Sequence, residues 1–308
     1  MHKLIEVFLL MVFAATGTTY PSLKLVDDKA DAARAQELLA QARQSLGGEA
    51  KLKAVQSLAA AGKFRRILGA QAPEMSGDFE LEFLLPDKFK RTENMVIMGG
   101  AAQVTRIEGY NGEQMFFDSS SSGGGMVMIR RPGGDDPKAQ AAQLRNLKAD
   151  VARHLIAWLL TAPDTYQIQF TYAGQADSPD GKADIVDAKN AEGFTARLFL
   201  DQKTHQPLML SYRAVVSKPI VRTMQAGSRE EGEKHAKEME KQTADEIAKA
   251  QQNQSESEVQ IFYADYRPVD GLLLPHKASR SVNGEVIEEW EMTKFKLNPP
   301  LKADKFKK

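Results

Sequence analysis

The stretch GDFELEFLL, residues 77–85, alternates apolar and polar side chains. Phe79, Leu81 and Phe83 fall on one face of an extended strand, whereas acidic residues fall on the other face. A period of two is typical of an antiparallel strand with one buried side. The stretch therefore predicts a sheet whose apolar face covers a core.

Strand-like stretches of this kind recur along most of the chain, separated by turn sequences. Asn111-Gly112 is the strongest hairpin signal, and Asp270-Gly271 and Asn283-Gly284 also have turn chemistry. The pattern predicts an antiparallel meander of eleven or twelve strands. We expect the strands over residues 58–68, 77–85, 88–98, 103–110, 113–118, 166–172, 182–188, 194–201, 207–216, 259–266, 272–282 and 285–297.

Two segments have helical periodicity, one over residues 27–46 and one over residues 136–163. The second begins with Asp136-Pro137, an N-cap followed by a proline in the first turn. A twisted sheet of so many strands must curl or close, and the helices then cover its concave apolar face. The sequence predicts a mainly β protein of the α+β class, with a cavity suited to apolar ligands.

The composition excludes several functional classes. The 308 residues carry 41 basic and 41 acidic side chains, so no net field attracts nucleic acid. The chain has no cysteine, which excludes disulfides, thiolate metal sites and cysteine nucleophiles. The five histidines are scattered along the chain, so we expect neither a metal nor a cofactor.

The first residues, MHKLIEVFLLMVFAATGTT (1–19), resemble a secretory signal: a short basic start, a short apolar run and small residues at the end. We expect cleavage there, which leaves residues 20–308 as a single exported domain without a membrane span. An uncleaved anchor and a buried helix are the alternatives.

Residues 228–258 are charged, rich in glutamine and almost free of large apolar side chains. Pairs such as Glu230/Lys234 and Asp245/Lys249 stand four residues apart, which favours a solvated helix. Without an apolar stripe the segment cannot be core. We expect an insertion between two strands that projects from the domain or is partly disordered, and that could contact a partner.

The end of the chain resembles a known group of proteins. The stretches YADYRPVDGLLLPH (263–276) and NGEVIEEWEMTKFKLN (283–298) are similar to exported members of the bacterial outer-membrane lipoprotein-sorting group, the LolA-like superfamily. Milder matches are LGGEA (46–50), LPDKF (85–89), GYNG (109–112) and LDQKT (200–204). Two features depart from the group: this chain is considerably longer, and the insertion at 228–258 is not part of the pattern.

The resemblance implies an unclosed antiparallel β half-barrel with a helical lid, a periplasmic location, and transport of lipids or acylated proteins through an apolar cavity. It transfers no individual functional residue. From the strand faces and the second helix we select apolar side chains that either fill a core or face a ligand. These ligand-binding candidates are Phe79, Phe83, Trp158, Phe170, Leu198, Leu200, Leu210 and Tyr212.

Catalysis is not expected. No nucleophile elbow, zinc-protease motif, phosphate-binding loop or dinucleotide fingerprint is present. His276 has no nucleophile or metal beside it in the sequence, and Asp177, Asp180, Asp184 and Asp187 lack the spacing of a calcium loop. We expect a monomeric periplasmic carrier of lipid or acylated protein. The alternative is a non-catalytic envelope scaffold on the same fold that contacts a protein partner through residues 228–258.

Overall fold

The computed structural model describes residues 28–67, 75–97, 102–123, 136–163, 166–178, 181–216 and 256–307. The predicted signal at 1–19 and the predicted insertion, except for its last three residues, lie outside the described residues. Residues 256–258 belong to a strand and not to an insertion.

A single twelve-stranded antiparallel sheet forms the body of the protein. Its spatial order is β5-β4-β3-β2-β1-β12-β11-β10-β9-β8-β7-β6, so β5 and β6 are the two edges and the sheet is not closed. The predicted curved, unclosed, mainly β architecture is confirmed. The strands are β1 Ser57–Arg66, β2 Met75–Leu84, β3 Lys88–Ile97, β4 Ala102–Asn111, β5 Gln114–Gly123, β6 Gln169–Ser178, β7 Gly181–Lys189, β8 Thr195–Asp201, β9 Pro207–Val215, β10 Glu256–Val269, β11 Leu272–Val282 and β12 Glu285–Leu297.

In the described ranges three α-helices accompany the sheet: α1 Asp28–Ser45, α2 Glu49–Lys53 and α3 Pro137–Leu159. α3 begins as its sequence predicts, because the Asp136 carboxylate accepts a hydrogen bond from the Lys138 amide at 3.1 Å. It ends at Leu160, which adopts the left-handed conformation with φ of 51°. α2 is too short to show a period and was not predicted.

α3 lies inside the curved sheet. It connects the two edges of the sheet, because it follows β5 and precedes β6. From Val151 to Leu160 every residue except the half-buried His154 is buried. A helix that is buried on all sides must be enclosed, so the sheet wraps around its C-terminal half. We call the sheet face that packs against α3 the inner face.

The C-terminal tail covers the outer face of β1 and β2. Phe306, after a short 3-10 turn at Ala303–Lys305, is fully buried. Lys305 donates a hydrogen bond to Glu82 at 2.7 Å, and the Ser57 hydroxyl donates to the carbonyl of Pro299 at 2.7 Å. As a result Glu82, which the alternation places on the polar side of β2, is only 4% exposed.

One prediction about a loop is wrong. The sequence predicts a flexible, low-complexity segment over residues 119–125. The structure describes residues 119–123 of this segment, which are rich in serine and have no apolar pattern. They instead extend β5, paired with β4 in continuous register from Arg106↔Ser119 to Ala102↔Gly123. The backbone ladder with β4 supplies the order that the side chains do not specify.

Candidate functional site

A partly open cavity of about 70 Å³ lies between α3 and the inner face. Its floor is apolar and its rim is charged, so the two parts have different chemistry. The floor includes Phe79, Leu81, Phe83, Phe89, Trp158, Ile261 and Met292, and the rim includes Arg91, Glu93, Asp150, Arg153, Arg280 and Glu288.

Trp158 of α3 is the centre of the apolar floor. Its indole is only 2% exposed and meets Phe83 of β2 and Phe295 of β12 edge to face, at 6.0 and 5.5 Å between ring centres. Phe83 in turn contacts Phe89 of β3 at 5.0 Å. These aromatic contacts join α3 to three strands near the middle of the sheet.

A band of buried carboxylates and half-buried guanidinium groups crosses the inner face beside this floor. Arg66 of β1 connects β3 and β12, neither of which is adjacent to β1 along the chain. It donates hydrogen bonds to Glu93 of β3 at 2.5 and 3.0 Å and to Glu288 of β12 at 2.7 Å. Glu108 of β4 accepts from Arg91 and, at 2.5 Å, from Arg106. We call these six residues together with Arg280, which pairs in register with Glu288, the charged band.

The electrostatics of the charged band follow from burial and from opposite charges. Burial alone would raise the pKa of Glu93, but Arg91 and Arg66 outweigh it and hold that pKa at about 2. Arg66 likewise has a raised pKa despite its burial, because Glu288 and Glu93 stabilise its charge. Burial and the neighbouring Arg91 lower the pKa of Arg106 to about 10. The neighbouring guanidinium groups thus stabilise the ionised form of Glu93, and they disfavour the charged form of Arg106.

Several buried polar atoms in the described residues have no hydrogen-bond partner. They are Trp158 Nε1, the Tyr263 hydroxyl, and Nε of Arg91, Arg106 and Arg280. All except Arg106 belong to side chains that line the cavity. Buried donors without partners are costly, so their concentration around one cavity distinguishes it from the rest of the core.

α3 is held in place by a small number of polar contacts. Arg43 of α1 donates to the carbonyl of Leu160 at 3.1 Å. Arg153 donates to the carbonyl of Thr195 at 3.3 Å and lies 3.7 Å from the centre of the Tyr212 ring. These contacts fix the C-terminal half of the helix against α1, β8 and β9.

The predicted ligand-binding residues divide into two groups. Phe79, Phe83, Trp158 and Tyr212 all line the cavity, although they come from three separate elements. The other four do not line it: Leu198, Leu200 and Leu210 are fully buried on β8 and β9, and Phe170 packs against the core from the edge strand β6. The role of all eight in binding stays a prediction.

Sequence reasoning missed the charged band. On β3, Phe89, Arg91, Glu93 and Met95 share one face, and Arg106 and Glu108 share a face with Tyr110 on β4. Charged residues that continue an apolar alternation are the signal that could have revealed it.

The described polar candidates have structural partners, whereas Asp180 lies outside the described residues. His276 is buried, its Nδ1 lies 3.0 Å from the carbonyl of Leu274, and its ring meets Phe295. Asp187 forms a two-point ion pair with Arg197, and Asp184 accepts from Gln175 and Gln202. Within the described ranges no group of three or more histidine, aspartate or glutamate side chains could hold a metal ion.

The fold defines a class of protein: an unclosed antiparallel half-barrel with a helix inside it. No family model matches the chain, and no curated protein matches it. Among solved structures, a LolA superfamily protein from Nitrosomonas europaea is similar, with 10% identity, a TM-score of 0.43 and coverage of 89% of this chain and 97% of the other. A DUF1329 family protein from Desulfovibrio piger gives 8% identity, a TM-score of 0.44 and the same coverage.

A provisionally assigned outer membrane lipoprotein-sorting protein domain from Vibrio parahaemolyticus is also similar, at 7% identity and a TM-score of 0.43, again over 89% of this chain and 97% of that one. Two of these descriptions name the group that the motifs at 263–298 resemble. No helix in the described residues is long and apolar enough to cross a membrane.

Proposed function

We propose that this protein is a non-catalytic carrier that holds a lipid-like ligand, or the acyl chain of a lipoprotein, between α3 and the inner face. The observation that carries the proposal is the cavity itself. Its floor is apolar and aromatic, and it lies under a helix that connects the two edges of the sheet. A ligand there would bind mainly by burial of apolar surface.

The size of the cavity requires α3 to move. Sites for drug-sized ligands enclose roughly 300–1,000 Å³. The cavity has about 70 Å³, which accommodates a headgroup or a few methylenes and not an acyl chain. In the carrier mechanism the ligand therefore replaces part of the surface that α3 now covers.

The free energy gained by burying the ligand is similar in size to the free energy lost by exposing α3. A sixteen-carbon chain gains on the order of 10 kcal/mol from burial, at about 0.8 kcal/mol per methylene. Exposing large α3 side chains such as Leu147, Val151, Leu155 and Trp158 costs about 1.5–3 kcal/mol each, which is again on the order of 10 kcal/mol. Because the two terms nearly balance, ligand binding can shift the position of α3 without unfolding the sheet.

The polar chemistry of the cavity supports binding in preference to catalysis. Glu93 and Glu288 are both engaged by Arg66, and Asp150 is paired with Arg153 at 2.9 Å. A general base must be free to take a proton from a substrate, and carboxylates held in ion pairs with guanidinium groups are poor bases. The apolar N-terminal residues 1–19 and the motifs at 263–298 support a periplasmic location, which fractionation of cells would test.

Mass spectrometry of organic extracts tests the carrier function. Protein purified without detergent should release a lipid in stoichiometric amount. Ala278→Leu adds bulk to the cavity lining and should abolish the lipid signal, because Ala278 faces the cavity beside Tyr263.

The matched control is Ala264→Leu. Ala264 lies next to Tyr263 on β10 and points to the opposite face of the sheet, so this variant should keep the lipid. Protein free of lipid, with no gain in thermal stability from added lipid, would refute the carrier function.

A further inference from the structure

The unpartnered groups of the cavity share one property: each carries a proton that it can donate. Trp158 Nε1 and the Nε atoms of Arg91 and Arg280 are donors only, and the Tyr263 hydroxyl donates as well as accepts. Trp158 is 2% exposed and Tyr263 is 5% exposed, so bulk water does not solvate these groups freely. The set lacks a matching acceptor in the described part of the chain.

The charged band also has more positive than negative side chains. In the charged band four guanidinium groups, those of Arg66, Arg91, Arg106 and Arg280, face three carboxylates. On α3 the Arg153 and Asp150 charges cancel. Burial lowers the pKa of His154, which keeps this third rim residue of α3 neutral. The charged band thus has one more guanidinium group than it has carboxylates.

We propose that the charged end of the cavity binds an oxyanion, the carboxylate or phosphate headgroup of an amphiphile whose apolar chain lies on the aromatic floor. This proposal rests on the proposed carrier function and names its ligand class. An oxyanion accepts hydrogen bonds without donating any, so it complements Arg91, Arg280 and Tyr263. It also balances the additional guanidinium group of the charged band, and the existing cavity already has room for a headgroup of this size.

The chain contains an intrinsic fluorescence probe for this site. It has two tryptophans, Trp158 and Trp290, and both line the cavity. Their fluorescence should therefore respond to a ligand in the cavity, and a brominated fatty acid should quench it on contact.

The experiment compares palmitate, methyl palmitate and inorganic phosphate as ligands of the full chain after removal of bound lipid. The acid and the ester have the same apolar chain, but only the acid carries a negative charge. Palmitate should bind at least tenfold more tightly than the ester, since a charge-assisted hydrogen bond contributes about that factor.

Arg280→Gln removes one guanidinium and should reduce the preference for palmitate to threefold or less. Tyr263→Phe deletes only the unpartnered hydroxyl, so it should weaken palmitate binding several-fold while the thermal midpoint stays constant or rises. Arg65→Gln is the matched control: Arg65 lies on the outer face, where it binds Glu289 at 2.6 Å, and the change should leave the preference intact.

The outcomes separate this inference from the carrier function. Equal affinities for acid and ester would overturn the headgroup site and leave the carrier function standing. Absence of binding by either would overturn both. If phosphate alone raised the thermal midpoint and palmitate did not, the site would be one for free anions, and the amphiphile proposal would be wrong. Competition between phosphate and palmitate, lost in Arg280→Gln, would support the proposal.

Discussion

Replacing Arg66 by methionine tests the charged band, and the adjacent residue provides the control. Arg66 is 16% exposed and binds Glu93 and Glu288, which are 2% and 7% exposed. Arg65, on the opposite face, forms an ion pair with Glu289, and these side chains are 44% and 35% exposed. The two variants therefore remove the same charge from neighbouring positions of β1 in different surroundings.

The expected magnitude follows from the Glu93 carboxyl group. Its pKa falls from an ordinary 4.5 to about 2 in the folded protein, and each unit corresponds to about 1.4 kcal/mol, so its pairing contributes about 3 kcal/mol above pH 4.5. Removing Arg66 also leaves Glu288 buried without its guanidinium partner. We expect Arg66→Met to cost about 3–5 kcal/mol, or roughly 10 °C in thermal midpoint. Arg65→Met should cost about 1 kcal/mol or less.

The pH dependence of the folding stability gives a second, independent test. In the natural protein the folded pKa of Glu93 is depressed, so its contribution is complete above pH 4.5 and is lost as the pH falls toward 2. In Arg66→Met the Glu93 carboxyl keeps Arg91 but loses Arg66, so its pKa should rise toward the ordinary value. The loss of stability between pH 4.5 and pH 2 should then be smaller than in the natural protein. Denaturation followed by circular dichroism across this range measures both effects. Equal losses for Arg65→Met and Arg66→Met, or an unchanged pH dependence, would refute the reasoning.

Three further predictions concern the tail, the enclosed helix and its cap. Phe306→Ala should cost about 3–5 kcal/mol because the ring is fully buried under the outer face; a change below about 1 kcal/mol in urea titration would show that the tail is not docked. Burial lowers the pKa of His154, so stability should decline as the pH falls below 6.5, and His154→Gln should remove that decline in thermal scans between pH 7.5 and 5.5. Persistence of the decline would assign it to another group. Asp136→Ala should cost about 1 kcal/mol, since it removes the hydrogen bond to the Lys138 amide, and an unchanged thermal midpoint would contradict this role.

The strands and turns could be predicted from the sequence because their signals are local. The alternation at 77–85 and the turn at Asn283-Gly284 each specify a nearby backbone conformation. Gly284 has φ of 84° and Asn283 has φ of 50°, values that a tight turn between β11 and β12 requires. Local chemistry of this kind needs no knowledge of the rest of the fold.

What could not be predicted depends on residues that are distant in the sequence. Arg66 meets Glu288 only because β12 pairs with β1, and the sequence alone does not reveal that pairing. Similarly, Glu82 is buried only because a tail more than two hundred residues away covers it. Among the candidate site residues, burial alone could not separate Trp158, which faces the cavity, from Leu198, which fills the core.

The central claim is that an apolar ligand displaces α3 from the sheet. It is tested most directly by measuring the distance between α3 and the sheet. Because the chain has no cysteine, Lys63→Cys on the outside of β1 and Asn146→Cys on the exposed side of α3 can carry two spin labels without further changes. Pulsed electron paramagnetic resonance then gives the distance distribution with and without saturating palmitate. The account predicts a second, longer population in the presence of palmitate. An unchanged distribution, while tryptophan quenching by a brominated fatty acid shows that the ligand is bound, would contradict it.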